Sequence, residues 1–413
     1  MSAYDISLSL PYGADKTFAL EIEGDRILAM HPTPDPVEDL DDEIFDALET
    51  PLDFPALEQS VVPGDKIGIA LDRGTPHAAS VIAAVWDILQ EREINAEDIS
   101  IVQPAALVSS PMPDPRAELP DDVRDKVTWQ VHDPTDEKAR GYLASTSSGD
   151  RIYLARLITE SDFVLPIGFL GFDSLLGFRG TNSVFYPGLS SAEAVGKCHG
   201  QGHGELGPEN DRPLRQLVDE ISWLLGVQFT IQLVPAANGQ IAHVLAGAVE
   251  TVLREGCSLL RDDWWLRLHE RADIIVVSID NDGMYNDWSR LGAALSTARN
   301  LVAADGKIIV LSDLKPEIND ALRIIQASDS PRDALKPLRT EAPADLISAT
   351  QIVNAADWAN VYWLSQLDGT FVEDLYMTPL ASEDEAARLL GDVEETIVTI
   401  AAAQHAYGNI VRE

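Results

Sequence analysis

Basic residues and cysteines are scarce in this chain of 413 residues. Only 30 lysines and arginines stand against 68 aspartates and glutamates, and the formal net charge is −38. Nucleic acids and anionic membranes are bound through basic patches, so we expect neither as a partner. The two cysteines, Cys198 and Cys257, are too few for a disulfide framework, which fits a reducing compartment.

Long apolar runs are missing as well. No stretch reaches the roughly 18 uninterrupted apolar residues of a membrane helix. The opening segment M-S-A-Y-D-I-S-L-S-L has no basic region followed by an apolar core, so it does not read as a signal peptide. We therefore expect a soluble, cytoplasmic protein. Hydrophobic residues make up 45% of the chain, enough to bury the cores of two domains or more.

Strand and helix patterns alternate along the chain. Lys66 to Leu71 is a short apolar run after a P-G-D turn and predicts a buried strand, followed by D-R-G-T-P-H and a helix over 78–91. In open α/β sheets such units hold ligands at the carboxyl end of the strand. A second α/β pattern opens at A-D-I-I-V-V-S-I (272–279), so the sequence predicts two α/β domains with a boundary near residue 270. A last helix is predicted over 393–411 and expected to pack on the first domain.

The stretch from Ile167 to His203 is rich in glycine and in reactive side chains. A strand predicted over 162–167 runs into a turn that carries Asp173, Arg179 and the triplet T-N-S at 181–183. Glycine permits positive φ and close approach of the backbone to a ligand. The N–H groups of such turns can line an anion-binding concavity. We predict that the reactive centre lies in this stretch.

Three potential metal ligands follow in the same stretch. Cys198, His199 and His203 are soft or borderline ligands, of the kind that hold a transition metal. On a helix the two histidines would share one face, but the glycines between and beside them disfavour a helix. The alternative is a loop whose histidines are incidental.

Other side chains admit a catalytic and a structural interpretation each. Asp173 is either a general base or a turn-capping aspartate. Arg73 and Arg179 either clamp an anion bidentately or balance the nearby Asp72 or Asp173. His132 is either an acid–base group at a strand end or a structural histidine bonded to backbone.

Several motifs occur in an order that indicates a family. They are L-P-Y-G (10–13), D-A-L-E-T-P (46–51), P-G-D-K-I-G-I-A-L-D-R-G-T-P-H (63–77), H-D-P-T-D (132–136), G-F-R-G-T-N-S-V-F-Y-P-G (177–188), and A-D-I-I-V-V-S (272–278) through G-K-I-I-V-L-S (306–312). Through these motifs the chain resembles the nickel-dependent lactate racemase (LarA-like) family over nearly its whole length.

The resemblance implies a fold, a cofactor and a reaction. The fold would be a larger N-terminal α/β domain (1–269, joined by the terminal segment 392–413) and a smaller Rossmann-like C-terminal domain (270–391), with the active site in the cleft between them. The cofactor would be a nickel-pincer nucleotide that takes a hydride from the hydroxyl-bearing carbon of a 2-hydroxy acid and returns it to the other face. The protein would supply orientation and a base for the hydroxyl proton.

The family's functional residues carry over only in part. His199 lies sixteen residues after the position of the cofactor-bearing lysine, which is the spacing of the family's nickel ligand. Arg290 is expected to meet the substrate carboxylate, and Asp173 or His132 to act as the base. The cofactor is expected to contact the two glycine-containing turns through Asp72, Arg73, Arg179, Thr181, Asn182 and Ser183.

Three departures from the family pattern stand out. The tethering lysine is replaced by Ser183 and one catalytic histidine by Asp173, while the segment Q-P-A-A-L-V-S-S (103–110) has no counterpart of the other histidine. Three hypotheses remain open. The chain is a racemase or epimerase that holds the pincer nucleotide without the lysine link, a non-catalytic binding protein for a nucleotide or hydroxy acid, or an enzyme of another metal-assisted reaction, such as hydrolysis, that uses Asp173, His199 and His203.

Overall fold

The computed structural model describes residues 5–105, 112–146, 149–200, 202–281, 287–391 and 394–411. The strands are β1 (Asp5–Tyr12), β2 (Lys16–Glu23), β3 (Ile27–His31), β4 (Ile67–Leu71), β5 (Ile99–Gln103), β6 (Thr128–Val131), β7 (Arg140–Ser145), β8 (Arg151–Ala155), β9 (Phe163–Phe169), β10 (Gly171–Asp173), β11 (Gly177–Arg179), β12 (Phe229–Pro235), β13 (Ile241–Ala248), β14 (Trp265–Leu268), β15 (Ala272–Ser278), β16 (Val302–Leu311), β17 (Asn360–Leu364), β18 (Thr378–Leu380), β19 (Ile397–Ile400) and β20 (Tyr407–Ile410).

Helices separate most of these strands. They are α1 (Leu40–Glu49), α2 (Leu57–Ser60), α3 (Ala78–Glu91), α4 (Asp121–Arg124), α5 (Arg156–Thr159), α6 (Ala192–Cys198), α7 (Pro213–Leu225), α8 (Val249–Asp263), α9 (Trp288–Leu301), α10 (Asp320–Gln326), α11 (Pro331–Glu341), α12 (Leu346–Trp358), α13 (Gly369–Glu373) and α14 (Glu383–Leu390). In the described parts of the chain, no helix is long and apolar enough to cross a membrane.

Two six-stranded sheets organise the molecule, and the predicted α/β class is confirmed. The first has the order β13-β12-β9-β4-β5-β6, is parallel except for the antiparallel pair β12–β13, and forms lobe 1 with its flanking elements. The second has the order β18-β17-β16-β15-β19-β3, is parallel throughout, and forms lobe 2. The change of sheet falls between β14 and β15, near the predicted boundary.

Both sheets bury both faces, as parallel sheets require. In β15 of lobe 2, Ile275 and Val277 pack against the helices α9 to α13, whereas Ile274 and Val276 face the β1–β2 hairpin and α14. Successive side chains of a strand point to opposite faces, so a continuous apolar run suits a strand buried on both sides. The apolar runs of the sequence therefore form the central strands of two sheets that are covered on both faces.

The predicted terminal helix over 393–411 is wrong. Within 394–411 the chain forms β19 and β20, and β19 lies in the second sheet between β15 and β3. The alanine-rich segment that follows favours a helix, but the β-branched run Ile397–Ile400 is completely buried as a strand. Since β3 and β19 lie outside 270–391, the second sheet takes strands from three separate parts of the chain.

Residues 329–344 are acidic and rich in proline, and the structure forms a helix within them. Helix α11 forms there because Pro331 occupies its first turn and the Ser330 hydroxyl accepts a hydrogen bond from the Asp333 N–H. Helix α12 follows at once and packs beside α9. These two helices bring 339–354 to the junction of the lobes.

Asp345, at the start of α12, makes stability dependent on pH. Burial, with a smaller contribution from Asp287, raises the pKa of Asp345 to about 6. Because the pKa is raised in the folded protein, protonation of this carboxyl stabilises the folded state relative to the unfolded state. This contribution to the free energy of unfolding is lost as the pH rises through 6. We expect Asp345→Asn to raise the free energy of unfolding by about 1 kcal/mol at pH 8, the value being reduced because the site is partly solvated. Little gain is expected near pH 4.

Urea unfolding at the two pH values measures this effect. Asp384→Asn is the control, because Asp384 is an exposed acid in the first turn of another helix, α14. An equal gain at both pH values, or a gain shared by the control, would contradict the assignment to Asp345.

Candidate functional site

A cleft with a volume of about 440 Å³ lies between the two lobes. On the lobe 1 side it is lined by the β10–β11 hairpin and by the loop 202–212. On the lobe 2 side it is lined by α9, α11, α12 and the segment 404–407. Pockets of about 300–1,000 Å³ are typical of small-molecule sites. The cleft is thus the candidate site.

Arg212 anchors the lobe 1 wall of the cleft. Only 2% of this residue is exposed, and its Nη1 donates to the carbonyl oxygens of Gly207 and Asn210 at 3.0 and 3.1 Å. Burial lowers the pKa of the Arg212 guanidinium, and the charge of Asp173 acts in the opposite direction. A Cβ on Gly177 would lie 2.2 Å from the Pro208 carbonyl oxygen, so glycine is required for the loop to lie against the hairpin. Arg212 is therefore held rigidly.

The cleft differs in charge from the rest of the chain. Three arginines, Arg212, Arg299 and Arg339, and two acids, Asp173 and Glu205, are among its lining residues. In a protein with a net charge of −38, this is a local excess of cationic groups. Because a local positive potential concentrates anions, this small cationic excess favours a small anion over a cation as the ligand.

Asp173 and His203 are the predicted site residues among those that line the described cleft, and Asp173 lies in the β10–β11 hairpin. Its Oδ1 accepts hydrogen bonds from the N–H groups of Leu175 and Leu176 at 2.7 and 2.8 Å. This geometry is that of a turn-capping aspartate, the structural alternative considered from the sequence. The second oxygen, Oδ2, is not part of this cap. The carboxylate thus stabilises the hairpin that forms the cleft wall.

His132 is a structural histidine. It is 1% exposed, it does not line the cleft, and its Nε2 lies 2.7 Å from the carbonyl oxygen of Ser190. Burial lowers the pKa of His132, so the neutral ring is favoured. With the Nε2–H donating to Ser190, Nδ1 is an acceptor for which the described protein offers no partner. The prediction of a catalytic base at this strand end is not supported by its position.

The predicted anion-binding turns form an internal network. Arg179 donates to the Asp72 carboxylate at 2.7 Å, and its guanidinium lies 4.1 Å from the centre of the Phe169 ring. Thr181, in the left-handed region with φ of 49°, accepts a hydrogen bond from Arg215 at 3.3 Å. The structure therefore brings Asp72 and Arg179 together as a charge-balanced pair.

The remaining residues of these turns also have protein partners. The Ser183 hydroxyl accepts a hydrogen bond from the Gly180 N–H at 2.9 Å, and Asn182 donates to Asp219 at 3.5 Å. Arg73 donates to the carbonyl oxygen of Ala105 at 3.4 Å. None of these side chains lines the cleft. These side chains instead form hydrogen bonds within lobe 1.

His199 connects the two lobes. It caps the C-terminus of α6, and its Nε2 lies 2.7 Å from the carbonyl oxygen of Pro343, in the loop before α12. His203 lines the cleft and its Nδ1 lies 3.2 Å from Glu205. In the parts of the chain that are described, no three or more His, Cys, Asp or Glu side chains are grouped so as to hold a metal ion. The predicted cluster of Cys198, His199 and His203 does not form.

Arg290 is buried in an ion pair. It is 8% exposed and donates to the carbonyl oxygen and to Oδ1 of Asp280 at 3.1 and 3.4 Å. Asp280 also accepts hydrogen bonds from the Gln404 amide and from the N–H of Asn238 in lobe 1. Arg290 does not line the cleft, whereas Ala293, one turn later, does. The predicted carboxylate-binding role is thus not supported, and Asp280 is a junction between the lobes.

Sequence reasoning missed the residues that line the lobe 2 wall. In α9, polar residues recur at 296, 297 and 300, a spacing that places them on one helical face. In α12 the same holds for 350, 351 and 354. A stripe of polar residues along a mostly buried helix was the sequence pattern that could have indicated this wall. In lobe 1, the corresponding pattern was Arg212 directly before Pro213.

Comparison with known proteins supports the resemblance to lactate racemases. Residues 12–206 match the family described as the lactate racemase N-terminal domain. The lactate racemase of Thermoanaerobacterium thermosaccharolyticum is 20% identical over 431 aligned positions, covering 98% of this chain and 99% of that protein.

Two solved structures share the fold. The lactate racemase apoprotein from the same organism superposes with a TM-score of 0.79 at 17% identity, covering 98% of this chain and 100% of that one. A crystal structure of a protein from Thermotoga maritima gives a TM-score of 0.66 at 14% identity, covering 92% and 100%. Motif order, family match and fold agree: residues 12–206 belong to the lactate racemase N-terminal domain family, and the chain over nearly its whole length is similar to a lactate racemase in sequence and fold.

Proposed function

We propose that the chain has a racemase- or epimerase-type function and binds a small 2-hydroxy acid, as its carboxylate, in the cleft between the lobes. The observation that carries the proposal is the set of three cleft arginines in a strongly acidic chain. Arginine binds carboxylates through charge-assisted hydrogen bonds that are roughly twice as strong as neutral ones. The similarity to lactate racemases supports the reaction type.

The residues of this chain do not fit the lysine-linked nickel-pincer nucleotide that the resemblance implies. Ser183 stands where the linking lysine is expected, and its hydroxyl caps the Gly180 turn. The Nε2 of His199 is bonded to Pro343, and Oδ1 of Asp173 is occupied by backbone N–H groups. We therefore derive no catalytic step through the cofactor. Whether a nucleotide is held without the covalent link is a question for nickel analysis and mass spectrometry.

Substrate binding is tested first. Arg299→Leu should weaken the binding of a 2-hydroxy acid at least about tenfold in isothermal titration, because it removes a cation from the cleft. Arg323→Leu is the control, since Arg323 lies in the same lobe, is 66% exposed and pairs with Asp320. Loss of affinity in both variants, or in neither, would contradict binding in the cleft.

Catalysis is tested separately. Protein purified from cells that make the pincer nucleotide is incubated with single stereoisomers of 2-hydroxy acids, and the products are resolved by chiral chromatography. Interconversion that is absent with protein from cells lacking the cofactor supports the reaction. Binding without interconversion, in protein that carries nickel and nucleotide, would exclude it.

A binding function without catalysis is the second candidate. It is favoured by one observation, namely that the predicted bases are part of the scaffold: His132 is buried against Ser190, and Asp173 caps a turn. In this case the cleft retains affinity for the hydroxy acid, and no stereoisomer is converted under any loading condition.

A further inference from the structure

In its described parts, the chain passes between the lobes at two places. It leaves β3 of lobe 2 after His31 and enters lobe 1 through the segment 32–39, whose Val37 N–H donates to the carbonyl oxygen of Ile241 in β13. It returns to lobe 2 at Trp264, directly after α8, which packs on β12 and β13. The two crossings touch, because the ring centres of His31 and Trp264 lie 6.4 Å apart in an edge-on arrangement. A change at this contact therefore acts on both connections at once.

Trp264 is completely buried and is bonded to both lobes. Its Nε1 donates to the carbonyl oxygen of Pro235, at the end of β12 in lobe 1, at 2.9 Å. Its own carbonyl oxygen accepts a hydrogen bond from the N–H of Tyr407, in β20 beside α9 of lobe 2, at 2.8 Å. The ring of His405 lies 5.3 Å from the ring of Trp264. Trp264 is thus the side chain on which the two crossings are packed together.

The ring of His31 is placed as a neutral imidazole. It is hydrogen-bonded to the backbone of Asp263, the last residue of α8, where a helix end leaves carbonyl groups free. Its Nε2 is buried and has no partner within the described residues. A proton on Nδ1 leaves Nε2 as an acceptor, which needs no partner with a donor role reversed. In the imidazolium both ring nitrogens are donors, and the buried Nε2–H would lack an acceptor.

The charges around His31 do not compensate for its burial. Asp263 is the acid that acts on His31, but its carboxylate is bonded to Nε2 of His243 in β13 at 2.9 Å. The neighbouring strand β19 contributes no ionisable side chain. Burial lowers the pKa of His31, and Asp263 acts in the opposite direction. Below the ordinary histidine pKa of about 6.5, a state with a solvated ring therefore binds the proton more tightly than the packed state, and the packed state loses population.

From this geometry we infer that His31 makes the connection between the lobes sensitive to protons: protonation of the ring opens the His31–Trp264 contact and loosens lobe 2 from lobe 1. A histidine is suited to this role because its charge changes near neutral pH. The proton shifts the equilibrium between a packed and a loosened junction by its different affinity for the two. The cleft lies between the same lobes, so acidification widens it. The inference goes beyond the proposed function, since no ligand or cofactor takes part.

Hydrogen exchange measured by mass spectrometry tests the inference on the full chain without ligand. Samples are compared between about pH 7.5 and about pH 5, with correction for the intrinsic pH dependence of exchange. Peptides that cover 32–39 and 264–271 should exchange at least about fivefold faster at the acid end, the factor that corresponds to one buried donor left unpaired. Peptides from the central strands β4 and β15 should keep their protection. The radius of gyration from small-angle X-ray scattering should rise with the same midpoint.

Variants of the junction assign the response to one ring. His31→Phe keeps an aromatic ring beside Trp264 but takes up no proton, and His31→Gln keeps a neutral donor, so both should remove the response. His269→Phe is the matched control and should retain it, because His269 is an exposed histidine of the second crossing. Asp263→Asn removes the charge that favours the protonated ring, so the midpoint should move to lower pH. If one His31 variant fails to fold by circular dichroism, the other carries the test.

Three results would overturn the inference. The first is exchange in the two crossings that is the same at both ends of the pH range. The second is a response that persists in the His31 variants, which would assign it to His243, His405 or another group. Asp345 also takes up a proton in this range, but its protonation stabilises the fold and acts in the opposite direction. The third is faster exchange in β4 and β15 as well, which would indicate unfolding of the whole chain by acid.

Discussion

Replacing Asp280 with alanine is expected to lower the free energy of unfolding by about 3–5 kcal/mol, the usual effect of breaking a buried charge pair by removing one partner. Asp280 is 4% exposed and accepts hydrogen bonds from Arg290, Gln404 and the Asn238 N–H. Without the carboxylate, the guanidinium of Arg290 stays buried and loses its counter-charge. The N–H of Asn238 in lobe 1 loses its acceptor in lobe 2.

Urea unfolding at neutral pH measures this loss. The control is Asp320→Ala, because Asp320 is 81% exposed in its pair with Arg323, and exposed pairs contribute about 0–1 kcal/mol. A loss for Asp280→Ala no greater than that of the control would show that the junction adds nothing to stability. Asp280→Asn removes the counter-charge and keeps one acceptor oxygen, but its amide NH2 replaces the other, so either the Asn238 N–H or the Arg290 and Gln404 donors lose their acceptor.

The second large effect is expected for Arg212→Met. Methionine preserves the unbranched apolar stem but removes every donor to the carbonyl oxygens of Leu206, Gly207 and Asn210. We expect a loss of about 2–3 kcal/mol in the free energy of unfolding, because these hydrogen bonds are charge-assisted and at least partly buried. Binding of the hydroxy acid should fall by more than about tenfold, since the loop that it holds forms the cleft wall.

A matched arginine outside the cleft provides the control for this variant. Arg254 is 63% exposed and pairs with Glu255, so Arg254→Met should change stability by less than about 1 kcal/mol and leave binding unchanged. If Arg212→Met retains full affinity for the acid, Arg212 serves the loop alone and does not shape the ligand site.

The sequence allowed much of the fold to be predicted, for a physical reason. Strands such as β4 and β15 are buried on both faces and therefore appear as uninterrupted apolar runs, bounded by turn residues. Helix α3 was predicted with its observed bounds, because its apolar residues recur at helical spacing after a turn. In these elements, the local sequence pattern and the environment in the folded protein favour the same secondary structure.

Where the local sequence pattern and the environment in the folded protein favour different secondary structures, the prediction was wrong. Ile397–Ile400 precedes an alanine-rich segment that favours a helix, yet the run becomes a strand because two neighbouring strands need it between them. Its pairing with β3, more than 350 residues earlier in the chain, is not visible locally. Helix α11 was not predicted from its acidic, proline-rich stretch, although Pro331 lies where a helix tolerates proline.

The site was predicted less well than the fold. Part of the glycine-rich stretch, including Asp173, lines the cleft, and its role as the reactive centre stays a prediction. Arg179 and Asp72 were both identified, but their pairing with each other was only one of two alternatives. Arg212 and the polar faces of α9 and α12 were missed, because their significance depends on how two lobes distant in sequence come together. The residue that a side chain contacts is determined by the packing of the whole molecule and not by the local sequence.

The composition of the second sheet has a consequence for the order in which the molecule assembles. Strand β3 precedes its neighbour β19 by more than 350 residues, and every strand of the first sheet lies between them. During synthesis from the N-terminus, lobe 1 can complete its sheet while β3 still waits for its neighbour. The nascent chain therefore carries β3 without its neighbouring strand until β19 has been synthesised.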